Sequence, residues 1–212
     1  MTRETLIEQG YTSTKKSISF LAANFVAILP MLPFVLIYIL GYACSSVLIH
    51  GKSTDWDIIS NFFASPLNVL FYLLITFAGI IIHEGLHALF FLGGCEEGRK
   101  SIVFGFKGGC PYCHCEEVLS IKRYINALWA PLWILCTIMA VLSLFIQFLP
   151  LFLATVTMIV GSGGDLYIWL LIRKHKNQNV FVWDMVDEVG CELLSKDDTS
   201  VVTTTAAPGA TE

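Results

Sequence analysis

Charge is what this chain lacks. Asp, Glu, Lys and Arg make up only 14% of its 212 residues, where a soluble domain carries about a quarter. With 55% hydrophobic residues and a mean hydropathy of +0.69, that scarcity excludes a soluble enzyme and a disordered chain. No collagen-like period, low-complexity bias or internal repeat is present. A basic surface is missing too: the net charge is −4, which argues against nucleic acid as a partner. The length allows one membrane domain and leaves no room for a separate peptide-recognition domain.

The apolar runs are what the chain has instead. Residues 17–51 are 35 residues without one Asp, Glu, Lys or Arg. Residues 58–95 are 38 with one, Glu84, and residues 124–172 are 49 with one, Asp165. A membrane helix needs about 20 apolar residues. The first two runs therefore hold one span each and the third holds two, hinged at Gln147 and Pro150. The expected spans are 19–43, 67–91, 127–147 and 151–172. Pro30 and Pro33 are expected to kink the first. Its run is far longer than the roughly 7–15 apolar residues of a cleavable signal, so it is expected to stay as an anchor.

Basic residues set the expected orientation. Twelve of the 13 Lys and Arg residues fall in the N-terminal segment, the loop between the second and third spans, and the C-terminal segment; only Lys52 falls elsewhere. By the positive-inside rule both termini face the cytoplasm of a multi-pass inner-membrane protein. The fold class expected is all-α: four transmembrane helices with a small cytoplasmic β-hairpin between the second and third. That hairpin pairs 101–106 with 112–119 around Lys107-Gly108-Gly109. Residues 180–183 read as a short strand. The organisation expected is a cytoplasmic segment 1–18, a membrane-embedded domain 19–192 and a disordered tail 193–212.

Chemistry concentrates in the second span, at His83-Glu84-Gly85-Leu86-His87. On a helix the two histidines lie one turn apart on one face, where both imidazoles reach a single metal ion. Glu84 projects beside them, placed to take a proton from water. Zinc suits this donor set. Two histidines satisfied by local hydrogen bonds are the alternative, but ionisable residues within a membrane span are costly and mark function. The third ligand expected is Asp165. It lies eight residues before Arg173, or ~12 Å of helix, and His87 and His83 lie ~9 and ~15 Å before Gly93, so all three sit at a similar depth. Gly161, Ser162, Gly163 and Gly164 are expected to let the helices approach closely. A structural polar role, or pairing with Arg173, is the alternative for Asp165.

These features resemble the intramembrane metalloproteases of the site-2 protease type. More closely, they resemble a family of small bacterial membrane proteins described as zincin peptidases. The family pattern has a histidine–glutamate–x–x–histidine span, a Pro-x-x-His-Cys loop and a late Gly-Asp. Here these are His83–His87, Pro111-Tyr112-Cys113-His114-Cys115 and Gly164-Asp165. The resemblance covers about residues 67–192. It implies zinc held by His83, His87 and Asp165, with Glu84 as the acid–base, and His114 close to the zinc or the substrate. One departure stands out: the site-2 proteases carry Asp-Gly, and here Asp165 is followed by Leu166.

Seven cysteines are an odd number, and four lie in the inner loop, so a disulfide framework is not expected. Cys110-Pro111-Tyr112-Cys113 is spelled like a glutaredoxin site but lacks the surrounding βαβ pattern. Cys110, Cys113, His114 and Cys115 either form a second metal site or are small thiols of a hairpin. Asn126 either orients a substrate backbone or marks an interfacial helix start. His50 and His175 have no evident partner. The reading is a zinc-dependent peptidase acting on a membrane or juxtamembrane protein. The rival is a non-catalytic metal-binding scaffold or a metal-ion transporter.

Overall fold

The structure is a computed structural model describing residues 2–18, 26, 28–51, 62–107, 109–176, 178–185 and 188–196. Four helical stretches are long and apolar enough to cross a membrane: Leu29–Leu48, Pro66–Leu92, Ile121–Ile146 and Leu149–His175. The chain opens with a short helix α1 (Arg3–Glu8), capped by the Thr2 hydroxyl, which accepts from the Thr5 N–H. The first crossing is α2 (Leu32–Leu48) and the second is α3 (Pro66–Leu92). Along α3, Leu73, Leu74, Phe77 and Ile81 are each more than half exposed, an apolar stripe suited to lipid.

The described part of the first span ends at Leu48, past the expected 43. Residues 12–18 are a strand, and a 3₁₀ turn at Leu29–Met31 leads into α2. Residues 19–25, where the span was expected to begin, lie outside the described residues. Pro30 stands in the first positions of the 3₁₀ turn and Pro33 in those of α2. There the missing N–H has no carbonyl to lose and the fixed φ suits the helix.

The third crossing starts earlier than expected, at α4 (Ile121–Ala130). Lys122 and Arg123 are exposed while Ile121, Tyr124 and Ile125 are buried, so an amphipathic turn extends the span outward. A π-helical turn at Pro131–Cys136 leads into α5 (Thr137–Ile146). The expected hinge follows: Gln147 is left-handed at φ 50°, and Pro150 opens α6 (Leu149–Gly161). The fourth apolar stretch is broken at its middle. Ser162, whose hydroxyl donates to the Met158 carbonyl at 3.1 Å, separates α6 from α7 (Gly163–Ile172).

The all-α expectation is corrected by the strands. The hairpin is present as β2 (Ile102–Lys107) and β3 (Cys110–Cys115), paired antiparallel from Ile102↔Cys115 to Lys107↔Cys110. Its turn uses Gly109 at φ +86°, a left-handed backbone that glycine adopts without strain. The second strand stops short of Leu119, because Glu117 turns back to accept from the Glu96 and Glu97 N–H groups and the Ser101 hydroxyl. A second, four-stranded antiparallel sheet has the order β1-β6-β5-β4. Its members are β1 (Thr12–Ile18), β4 (Leu119–Ser120), β5 (Phe181–Asp184) and β6 (Val189–Ser195).

That sheet joins the segment before the first span, the loop between the second and third, and the segment after the fourth. All three therefore lie at one end of the helix bundle. Residues 2–18 are thus part of the folded unit, and the expected boundary at 192/193 falls inside β6. The tail from 197 lies outside the described residues. At Gly190 strands β1 and β6 touch closely: a Cβ there would stand 2.1 Å from the Lys16 carbonyl oxygen. The main core cluster sits where sheet meets helices, with Phe91, Cys115, Tyr124, Ile172 and Val182 among its buried members.

Candidate metal centre

His83 and His87 project from one face of α3, as their spacing requires, and both are buried. Their Nε2 atoms are 3.2 Å apart. Asp165, in the first turn of α7, faces them: Oδ2 is 3.2 Å from His83 Nε2 and Oδ1 is 3.4 Å from His87 Nε2. The break at Ser162 aims this carboxylate, since it starts a fresh helical turn three residues before Asp165. Arg173 instead stacks on Trp169 at 5.5 Å, so pairing with Asp165 is not its role.

The donor set fits a cation. The His87 Nδ1–H donates to the Ala127 carbonyl at 3.0 Å, which leaves its Nε2 lone pair pointing at the carboxylate. Lone pairs aimed at one another repel unless a proton or metal lies between them. A tetrahedral zinc site with bonds of about 2.0–2.1 Å places donor atoms about 3.3–3.4 Å apart. The two histidine nitrogens, 3.2 Å apart, come close to that figure, and each has a different Asp165 oxygen within 3.4 Å. Among the described residues this trio is the one group of three His, Cys, Asp or Glu side chains able to hold a metal ion.

Aromatic packing fixes the site from one side. Phe91, one turn beyond His87, stacks on the His87 ring at 6.1 Å and 19°. Its other neighbour is Tyr124, at 5.9 Å and 18°. The trio opens onto a cavity of about 370 Å³ whose wall includes Glu84, Cys113 and His114. The Glu84 carboxylate faces the Cys113 backbone N–H, so β3 passes beside the acid. Gly161 and Gly164 also line the cavity; a Cβ on either would meet nothing within 4 Å. They leave open space beside Asp165, contrary to the close helix approach expected of them. Close approach occurs at Gly79, where a Cβ would stand 2.8 Å from Met158 Sδ.

The cysteine stretch forms no second centre. Cys113 and Cys115 are buried and Cys110 is exposed, and the four candidate donors are not gathered into a metal-binding group among the described residues. Burial, with Glu84 and Asp184 nearby, pushes the Cys113 thiol up to about 12, and burial likewise raises Cys115. Such thiols stay protonated near neutral pH. Cys95 and Cys115, both free, have sulfurs 3.0 Å apart.

Of the two further residues singled out in sequence, His114 reaches the cavity and Asn126 does not. Asn126 is exposed on α4 and is not part of the wall. Sequence reasoning missed Asp184 and Tyr124, which meet beside His114. The Tyr124 hydroxyl donates to Asp184 Oδ1 at 2.7 Å. The one available signal was an acid directly ending the apolar strand Phe181-Val182-Trp183. His50, also without an evident partner, reaches the Leu144 carbonyl at 3.3 Å.

Neither a curated protein nor a solved structure matches the chain. The model of a family described as "putative zincin peptidase" does match, over residues 76–180. This stretch, just under half of the chain, runs from the middle of α3 to the edge of β5 and contains His83, Glu84, His87, His114 and Asp165. The match supports the zincin family for this chain.

Proposed function

We propose that this chain is a zinc-dependent, membrane-embedded peptidase that hydrolyses peptide bonds of a membrane or juxtamembrane protein segment. The observation that carries the reading is the convergence of three metal donors on a cavity whose wall also includes Glu84, a carboxylate outside the trio. His83, His87 and Asp165 would hold the ion. Zinc, when bound, supplies Lewis acidity that makes water nucleophilic near neutral pH and polarises the scissile carbonyl. Glu84 takes the proton of the attacking water and passes it to the leaving amine, a role that needs a carboxylate beside the ligands but outside their set. His114 is the proposed substrate contact, supported by its placement on the cavity wall.

The substrate enters as an extended peptide. The hairpin sheet has only two strands, so β3 has no strand partner on the side away from β2 among the described residues. An added strand is the usual way to hold a peptide backbone. The charge distribution supports an inner-membrane protein with both termini cytoplasmic and a cleft open to cytoplasmic water. Metal analysis of purified protein tests the centre. About one zinc per chain is expected in wild type, with loss in His83→Ala, His87→Ala and Asp165→Ala, since a tetrahedral catalytic site has three protein ligands. Full zinc retention by Asp165→Ala, with full hydrolysis of a peptide mixture, places the third ligand elsewhere.

A further inference from the structure

The cavity holds a second polar array, separate from the three donors. His114, at the buried end of β3, is 5% exposed and lies on the cavity wall. Its Nδ1–H donates to Asp184 Oδ2 at 3.3 Å. The other carboxylate oxygen of Asp184 accepts the Tyr124 hydroxyl at 2.7 Å. Tyr124 is 1% exposed and stacks on Phe91, which stacks on His87. Three elements, β3, β5 and α4, thus supply one hydrogen-bonded chain that ends beside the metal donors.

Joining β3 to β5 does not require such a chain. Taking a carboxylate out of water costs several kcal/mol, and apolar residues of similar size clasp two strands at least as well. The edge of Trp183 already packs on the His114 ring at 6.2 Å. What the chain adds is orientation. With Nδ1–H committed to Asp184, the ring is held in one tautomer, and Nε2 becomes the lone-pair nitrogen. That Nε2 has no hydrogen-bond partner among the described residues, and it is not a sealed, unsatisfied atom either. It is open to the cavity that the peptide would occupy.

The geometry points to His114 as a catalytic residue that accepts, through Nε2, a backbone N–H of the bound peptide next to the scissile bond. Asp184 and Tyr124 are positioning residues that fix its ring and tautomer. This deepens the peptidase reading and rests on it. An amide donor left without its partner is penalised, so His114→Ala lowers kcat/KM by about 5–150-fold, the factor equivalent to about 1–3 kcal/mol. Asp184→Ala acts only through His114 and lowers it by up to the same factor, and Tyr124→Phe lowers it less.

Two measurements test the inference. The first is hydrolysis of a quenched-fluorescent casein by zinc-loaded protein in detergent, with zinc content measured for each variant. Asp184→Ala should cost nothing further in a His114→Ala background, and both variants should retain zinc. Costs that multiply in the double variant make Asp184 a structural residue and overturn the inference. The second needs no substrate. The chain has five histidines, so the imidazole ¹⁵N signals of histidine-labelled protein are few enough to assign by single substitutions. His114 should show a protonated Nδ1 and a bare Nε2, shifting toward the opposite tautomer in Asp184→Ala. Unchanged nitrogens in that variant overturn the inference, and Asp184→Leu, closer in volume and likewise without an acceptor, gives the same reading should Asp184→Ala fold poorly. Hydrolysis that needs Glu84 but survives His114→Ala defeats this inference alone. No hydrolysis by wild type defeats the peptidase reading and the inference together.

Discussion

Replacing Phe91 by Ala tests how the metal centre is held. Phe91 is 2% exposed and fills the space between the His87 and Tyr124 rings. A buried Phe→Ala change costs about 3–5 kcal/mol, from lost contacts and the cavity left behind. Within that loss the two ring pairs account for about 0.5–1.5 kcal/mol each. The functional consequence is separate. His87 is oriented by the Ala127 carbonyl on Nδ1 and by Phe91 against its face. Losing a support that orients a ligand typically lowers metal affinity about 10–100-fold. Phe91→Leu, which keeps most of the volume but not the flat face, should recover most of the stability and less of the affinity. Unfolding of purified protein in detergent reads the first quantity, and zinc competition with a chromogenic chelator reads the second. A folded Phe91→Ala protein with wild-type zinc affinity would refute the idea that ring stacking fixes the ligand.

Two further outcomes follow from the loop and the topology. Burial opposes the charged form of Glu117, but the Ser101 hydroxyl and the Glu97 and Glu96 N–H groups outweigh it and bring the carboxyl down to about 2. A lowered folded-state value means stability that is present above about 4.5 and lost as pH falls toward about 2. Glu117→Gln should therefore destabilise the protein by about 1–3 kcal/mol at pH 7. The difference from wild type should narrow on acidification through that window, and a pH-independent gap in thermal unfolding would contradict it. Accessibility tags at residue 2, in the hairpin turn and at the C-terminus should report the same side of the membrane, and a tag near Lys52 the opposite side. An opposite-side C-terminus would break the four-span arrangement.

The three later spans and the metal trio were legible in the sequence because each leaves a local or depth-related mark. Length and the absence of charge locate a span, and His83 and His87 are one helical turn apart in the chain itself. Asp165 was found because an acid in an apolar run is rare and its depth can be counted from Arg173. The end of the first span was set too early, at 43, because 35 charge-free residues contain no marker of where helix stops. Lys122 and Arg123 misled in the opposite sense, since charged side chains can flank a helix whose other face is already buried. The four-stranded sheet was hidden for a different reason. Thr12 pairs with Ser195 and Leu119 with Val182, and pairings so distant in sequence impose no local pattern. Asp184 and Tyr124 acquire their meaning only through that sheet, which carries Asp184 to within reach of α4.

The central claim is that Glu84 handles protons at a zinc centre it does not itself bind. Glu84→Gln keeps the side chain's shape and removes its basicity, so the most direct measurement is kcat/KM of this variant for peptide hydrolysis, read beside its zinc content. General acid–base catalysis is typically worth about 10²–10⁴-fold. The account predicts a loss of that size or greater with zinc and fold unchanged. Wild-type hydrolysis by a zinc-loaded Glu84→Gln protein would contradict it.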